Sequence, residues 1–343
     1  MNKLNFTNDY SEGAHPEILR RLTETNMEKC EGYGLDSYCK SAKDKIRAAA
    51  EAPDAEIYFL TGGTQTNAVV ISAVLRPYQG VISADTGHIA SHEAGAIEAH
   101  GHKVICLPHK EGKLLAKDIE QCFIDYQNDP SREHLVMPGM VYISHTTEYG
   151  TVYTKDELQK ISAVCRKNHA PLFLDGARLG YALAARNTDV TLKTIANYCD
   201  IFYIGGTKVG AFLGEAFVIT KEGFIPHFFS IMKQQGALLA KGRLLGVQFD
   251  TLFTNNLYFE ISAHAVKMAE KLKTGLSQKG HKFLFDAPAN QLFLILEKSR
   301  VKDLSEKIGW TFWGTYDENN VVMRLTASWA TKSEDVENAI ALL

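Results

Sequence analysis

The sequence predicts an α/β fold: a mostly parallel sheet with helices on both faces, followed by a smaller α+β unit. Two observations point there. Up to about residue 250, short apolar runs alternate with amphipathic segments, and beyond it the order changes to helix, strand, helix, strand, helix. The expected division is a larger α/β domain over 1–249 and a smaller α+β domain over 250–343.

In chain order, "EIYFLTGGTQTNAVVISAVL" (56–75) reads as a strand, a Gly62-Gly63 turn and a helix. "GVISAD" and "KVICLP" are strands, and the stretch from Gly87 to Gly101 between them is read as one helix. "MVYISHT", "APLFLDGA", "DIFYIGG" and "EAFVIT" follow as strands, with the amphipathic run "TKDELQKISAVCRKNH" as a helix between the first two. After the change of order come a helix near Glu260 to Gln278, a strand "QLFLILE", a helix over Val301 to Ile308, a strand "VVMRLTAS" and a terminal helix.

Composition narrows the function. The 343 residues are 45% hydrophobic and 22% charged, ordinary globular content, and a net charge of −3 without a basic block leaves no footprint for nucleic acid or an anionic membrane. A small-molecule ligand is expected. No signal-peptide core and no membrane-spanning apolar run is visible, which gives a cytoplasmic expectation. The six cysteines form no C-x-x-C pair and are read as reduced packing residues, with no metal site.

In an open α/β sheet, ligands bind at the carboxyl ends of strands, so the residues just after each strand belong together. They are Thr61-Gly62-Gly63-Thr64-Gln65-Thr66-Asn67 at a helix start; Thr86, Gly87 and His88; Asp175, Gly176, Ala177 and Arg178; and Lys208. Gly63 and Thr64 at a helix N-terminus suit a phosphate, though an ordinary N-cap explains them as well. Asp175 ends so apolar a run that its charge needs a partner, either a protonated ring nitrogen or Arg178. His88 is a candidate lid for a planar ring. Lys208 is either a solvated loop lysine or a nucleophilic amine delivered to a strand end. Pyridoxal phosphate needs a phosphate cup, a ring sandwich, a carboxylate at the pyridinium nitrogen and a reactive lysine together, which makes it the expected cofactor.

The order Gly-Gly-Thr, His, Asp-Gly-Ala-Arg, Gly-Gly-Thr-Lys resembles the threonine aldolase and β-eliminating lyase group of fold-type I pyridoxal phosphate enzymes, from Phe6 to about Ala330. "TTEYGTVY" (146–153), "DGARL" (175–179) and "GGTKVGAFLGEA" (205–216) are similar in particular to the low-specificity L-threonine and phenylserine aldolases. The resemblance implies Lys208 as the Schiff-base lysine, Asp175 as the partner of the pyridinium nitrogen, His88 as the stacking residue, and Gly63, Thr64 and Thr207 near the phosphate. Arg178, Arg324 and Asn8 would bind the substrate carboxylate. Glu93 would organise a water or accept the β-hydroxyl proton. It further implies a homo-oligomer, a dimer or tetramer with sites at the subunit interface, in which Tyr33 and Lys241 come from a neighbouring copy.

One departure stands out. Many threonine aldolases carry a histidine after the strand written here "VYISHTTEYG", placed to touch the β-hydroxyl; Thr146 and Thr147 occupy that stretch and His145 falls early. The base is then expected to be His88, or Glu93 through a water. The implied reaction is retro-aldol cleavage of L-threonine, L-allo-threonine and other β-hydroxy-α-amino acids to glycine and an aldehyde. A β-eliminating lyase or an aminotransferase would use the same core residues, and a non-catalytic cofactor-binding protein would keep the fold. A metal hydrolase on His88, His92 and Glu93 lacks the H-E-x-x-H order.

Overall fold

The structure, a computed structural model, describes residues 3–343. Its seven-stranded sheet runs, from one edge, Glu56–Leu60, Glu215–Ile219, Ile201–Gly205, Leu172–Asp175, Met137–Ser144, Gln79–Ala84 and Val104–Leu107. The strand Glu215–Ile219 is antiparallel to both neighbours, and the other pairings are parallel. The central strands are apolar runs because helices bury both faces. Alternate residues supply the two cores: Phe202 and Ile204 face one, Ile201 and Tyr203 the other.

The helices at the site follow from local sequence. Gly63–Val74 begins at Gly62, which supplies no side-chain cap, and it is buried continuously from Thr66 to Ile71, as a helix apolar on all sides should be. Lys155–Lys167 starts with a capping box between Thr154 and Glu157. The stretch 87–101 departs from the expected single helix. It holds two one-turn helices, His88–Ser91 and Ala96–Ala99: the first stops at His92, which leaves helical geometry (φ −129°, ψ 12°), and Ala94 (φ 50°) and Gly95 (φ 73°) take left-handed backbone conformations that keep the two apart. Among the described residues no helix is long and apolar enough to cross a membrane.

The carboxy-terminal part forms an antiparallel sheet in the order Thr311–Thr315, Asn320–Thr326, Gln291–Glu297, Lys282–Phe283. Helices Leu257–Gln278 and Ser333–Leu342 cover it through Leu272, Leu276 and Val336. The amino-terminal chain joins this unit: Leu4–Asn5 pairs with Ile308–Gly309, and Phe6 enters its core. Residues 249 and 250 both lie within the helix Arg243–Leu252.

That helix packs on Ser37–Ala50 at a glycine contact: a Cβ on Gly246 would stand 2.6 Å from the Cys39 nitrogen and 2.5 Å from its sulfur. Gly246→Ala is therefore expected to destabilise the protein by about 1–3 kcal/mol through overpacking. Urea-unfolding midpoints of the two proteins check this, and an unchanged midpoint would show that the helices separate freely.

Candidate active site

Adjoining cavities of about 300 and about 520 Å³ open at the carboxyl ends of the parallel strands and share Tyr10, His88, Glu148, Arg178 and Lys208. The inner one adds Gly63, Thr64, Asp175 and Thr207, and the outer one adds Arg324. The register explains the inner set, since Ser144 pairs with Asp175 and Gly205 with Glu215, so neighbouring strands end level.

Asp175 is buried and accepts from several donors, with Oδ1 less occupied than Oδ2. Tyr142 Oη donates to its Oδ2 at 2.5 Å, Asn67 Nδ2 to the same oxygen at 3.2 Å, and the Ala177 amide to Oδ1 at 3.0 Å. Burial alone would raise its pKa. His88, the Tyr142 and Tyr203 hydroxyls and the Ala177 amide outweigh that, so the carboxyl lies below its ordinary value and stays ionised. Lys208 shows the opposite balance. Desolvation in the cleft, reinforced by the Arg178 guanidinium, lowers its amine against the attraction of Asp9, Asp175 and Glu215.

Behind His88 lies Glu93. Its Oε1 meets His88 Nδ1 at 2.8 Å and accepts from Asn67 Nδ2 at 2.7 Å, and its side chain is 0% exposed against 37% for His88. Glu93 thus reaches the cavity only through the imidazole, which leaves Nε2 as the histidine's outward nitrogen.

Arg178 is held by Asp9, with Nε donating at 2.7 Å and Nη2 at 3.1 Å, and Asn290 Nδ2 donates to the same carboxylate at 2.9 Å. Burial raises and the guanidinium lowers the Asp9 pKa, and the net is below the usual carboxylate value. Burial, then Arg178, lowers Arg324, whose buried Nε has no hydrogen-bond partner among the described residues. Two guanidiniums facing one cavity, one with an orphaned donor, make a site for an anion.

The expected residues do not all gather there. Asn8 Oδ1 accepts from the Tyr10 amide and the Ser11 hydroxyl, an Asx turn beside Asp9. Tyr33 lines a separate cavity with Gly242, and its amide donates to the Ala240 carbonyl, while Lys241 is exposed beside that contact. A single chain therefore leaves Tyr33 and Lys241 outside the Lys208 cavity. The Thr207 hydroxyl is engaged with Glu215 at 2.9 Å. His145 is fully buried, its Nδ1 accepts from the Tyr153 amide, and burial with Lys113 nearby pushes its pKa down to about 4.

Sequence reading passed over several residues of the site. Asp9 had a visible signal, an aspartate beside the Asn8 already singled out. Glu215 had one too, a charge opening the apolar run "EAFVIT"; burial raises its pKa. Asn67 ends the polar stretch at the helix start after Glu56–Leu60, whereas Tyr142 and Tyr203 had no signal, because their polar tips sit inside runs that read as core. Glu148, in both cavities, lies within a quoted motif without having been picked out.

Pyridoxal phosphate fits this donor set. The uncapped first turn at Gly63 and Thr64 offers amide donors to a phosphate, and a Cβ on Gly63 would come within 3.0 Å of the Tyr203 hydroxyl, so the cup is closed to larger residues. Asp175 supplies an anion, Lys208 an amine, and Thr146 Oγ1 is a buried polar atom still without a partner among the described residues.

Fold and pocket together define a pyridoxal phosphate enzyme of fold type I. The model of the β-eliminating lyase family matches residues 6–299, and the chain belongs to that family. It is 30% identical to the low specificity L-threonine aldolase of Pseudomonas sp. (strain NCIMB 10558), over 98% of this chain and 96% of that one. The corresponding Pseudomonas aeruginosa protein is also 30% identical, over 96% and 94%. The solved threonine aldolase of Leishmania major superposes with a TM-score of 0.95 at 45% identity, covering 98% of each chain. Thermus thermophilus aspartate aminotransferase shares the fold, with a TM-score of 0.68 at 14% identity over 99% of this chain and 90% of that one.

Removing Asp9 leaves Arg178 buried and unpaired, so Asp9→Asn is expected to cost about 3–5 kcal/mol at neutral pH. Because the folded pKa of Asp9 is depressed, its contribution is complete above the unfolded value of about 3.9 and is lost as pH falls from there through the folded value. Urea midpoints should therefore differ at pH 7 and converge below about pH 4. A gap independent of pH would assign the loss to packing.

Proposed function

We propose that this protein cleaves β-hydroxy-α-amino acids, L-threonine and L-allo-threonine among them, into glycine and the corresponding aldehyde. The observation that carries this is the shared cavity of Lys208 and Asp175, opening on the guanidiniums of Arg178 and Arg324. The full-length similarity to low-specificity L-threonine aldolases selects the reaction among those that such a site permits.

Bound here, pyridoxal phosphate supplies the electron sink that accepts the Cα–Cβ bonding pair. Lys208, with its amine lowered by desolvation, is more nucleophilic than a solvated lysine and would hold the cofactor aldehyde. Asp175 holds a proton on the ring nitrogen, which a carboxylate of depressed pKa does well. Gly63, Thr64 and Thr207 bind the phosphate, and His88 covers the ring face. Arg178, steadied by Asp9, clamps the substrate carboxylate with Arg324, and Asn8 acts at the edge of that clamp. Glu93 fixes the orientation of the His88 ring. In a homo-oligomer, a second copy of the chain would bring its own Tyr33 and Lys241 to the cavity.

Purified protein given L-threonine should release glycine and acetaldehyde in equal amounts; ammonia with a 2-oxo acid would indicate a β-eliminating lyase instead. Lys208→Ala should lack the visible absorbance of lysine-bound cofactor, and borohydride should label a peptide containing Lys208 in the wild type. Label on a different lysine overturns that role. Asp175→Asn should retain cofactor and slow turnover by about 10²–10³, the scale of one lost charge-stabilising group.

A further inference from the structure

We propose that the Glu148 carboxylate receives the β-hydroxyl proton of the substrate; this rests on the aldol cleavage proposed above. The loop that follows the strand Met137–Ser144 carries Glu148 into both cavities, between the inner one that holds Lys208 and Asp175 and the outer one that holds Arg324. Glu148 lines both cavities together with Lys208 and Arg178, so a substrate with its carboxylate on Arg178 and Arg324 and its amine at Lys208 would extend its β-carbon into the space that Glu148 lines. The side chain is already aimed. Ser144 Oγ donates to Oε1 at 2.8 Å, and Oε2 has no hydrogen bond from another residue among those described.

The other carboxylates and the neighbouring loop residues are committed elsewhere, which leaves, among the described residues, the outward Nε2 of His88 as the one rival acceptor in both cavities. Glu93 is sealed behind His88, and Asp175, held by Tyr142, Asn67 and the Ala177 amide, has a depressed pKa that makes it a poor proton acceptor. Glu215 accepts from Thr207 and the Gly206 amide. Asp85, in the outer cavity, is 55% exposed and lies 3.6 Å from His109 Nε2. The Thr147 hydroxyl pairs with Thr151 at 2.7 Å, and His145 lies in the core. Burial raises the pKa of Glu148, and Asp175 adds to this against Ser144 and His88. A carboxylate so placed is more basic than an exposed one, as a proton acceptor here needs to be.

In the step, the O–H bond breaks and its electron pair becomes the new C=O bond of the aldehyde, while the proton passes to a Glu148 oxygen. The Cα–Cβ pair stays with Cα, which then takes up a proton to become glycine. One proton leaves oxygen and one joins carbon, so no further reactant is required.

Glu148→Gln keeps the acceptor for Ser144 and removes the base. Cofactor titration followed by visible absorbance should give wild-type affinity and spectrum. Two rates are then compared: threonine cleavage, and exchange of the glycine α-proton with deuterated solvent, a step without a β-hydroxyl. Cleavage should fall by about 10²–10³ more than exchange. The acid limb of the cleavage pH profile, where Glu148 is protonated in the wild type, should flatten in the variant. Wild-type cleavage by Glu148→Gln, or an equal fall in both rates, overturns the proposal, and retained cleavage with loss in His88→Phe moves the base to His88. If Glu148→Gln does not fold, Glu148→Asp, with its carboxylate withdrawn by one methylene, must still lose cleavage disproportionately. A wild-type protein that exchanges glycine but does not cleave threonine would instead refute the aldolase assignment.

Discussion

The ion pair between Asp9 and Arg178 ties three distant parts of the chain to one point. Asp9 comes from the amino-terminal segment that runs along the small sheet, Arg178 from the turn after Leu172–Asp175, and Asn290 from the entry to Gln291–Glu297. Because both charges are almost wholly removed from water, the pair is stable only when every part is in place. The two guanidinium nitrogens given to Asp9 also fix the plane of the group, so its remaining donors face the cavity in one orientation. Folding and the orientation of the guanidinium that faces the cavity therefore rest on the same contact.

Around that pair the cleft holds a balance of charge that no residue sets alone. Arg178 pushes the Lys208 amine toward its neutral form, while Asp9, Asp175 and Glu215 restrain it. The acids are driven apart: Asp175, with its surplus of donors, lies low, whereas Glu148 and Glu215, buried with fewer, lie high. Carboxyls with divergent pKa values let one site keep a permanent anion beside a group able to accept and return protons. The small sheet takes part through Arg324, whose buried Nε has no hydrogen-bond partner among the described residues and can take an acceptor from a bound molecule.

The short helices after Gln79–Ala84 show how local backbone shapes the site. Had residues 87–101 formed one helix, the spacing of His88 and Glu93 would have sent their side chains in different directions. The break at Ala94 and Gly95 lets the chain fold back, and Glu93 passes behind the imidazole to reach Asn67. Glu93 becomes a support for His88, and the cavity keeps a single exposed face of that ring.

The sequence by itself determined most of the strand and helix pattern, the break within 87–101 excepted, and marked Gly63, Thr64, Lys208, Asp175, His88 and Arg178 as strand-end residues that belong together, which the fold brings to one cavity. These are local signals: apolar runs ending in glycine, or a charge at the end of a buried strand. It did not disclose that Glu215–Ile219 runs antiparallel, because an apolar strand buried on both faces reads alike in either direction. Nor did it disclose that Tyr142 and Asn67 would hold Asp175, or that Asp9 would pair with Arg178. Each gains its role from a partner far along the chain, as with the separations of 169 residues between Arg178 and Asp9 and 108 between Asn67 and Asp175. Only tertiary structure decides such contacts, since which buried polar group finds which partner depends on the packing of layers, and periodicity in one segment carries no record of the other.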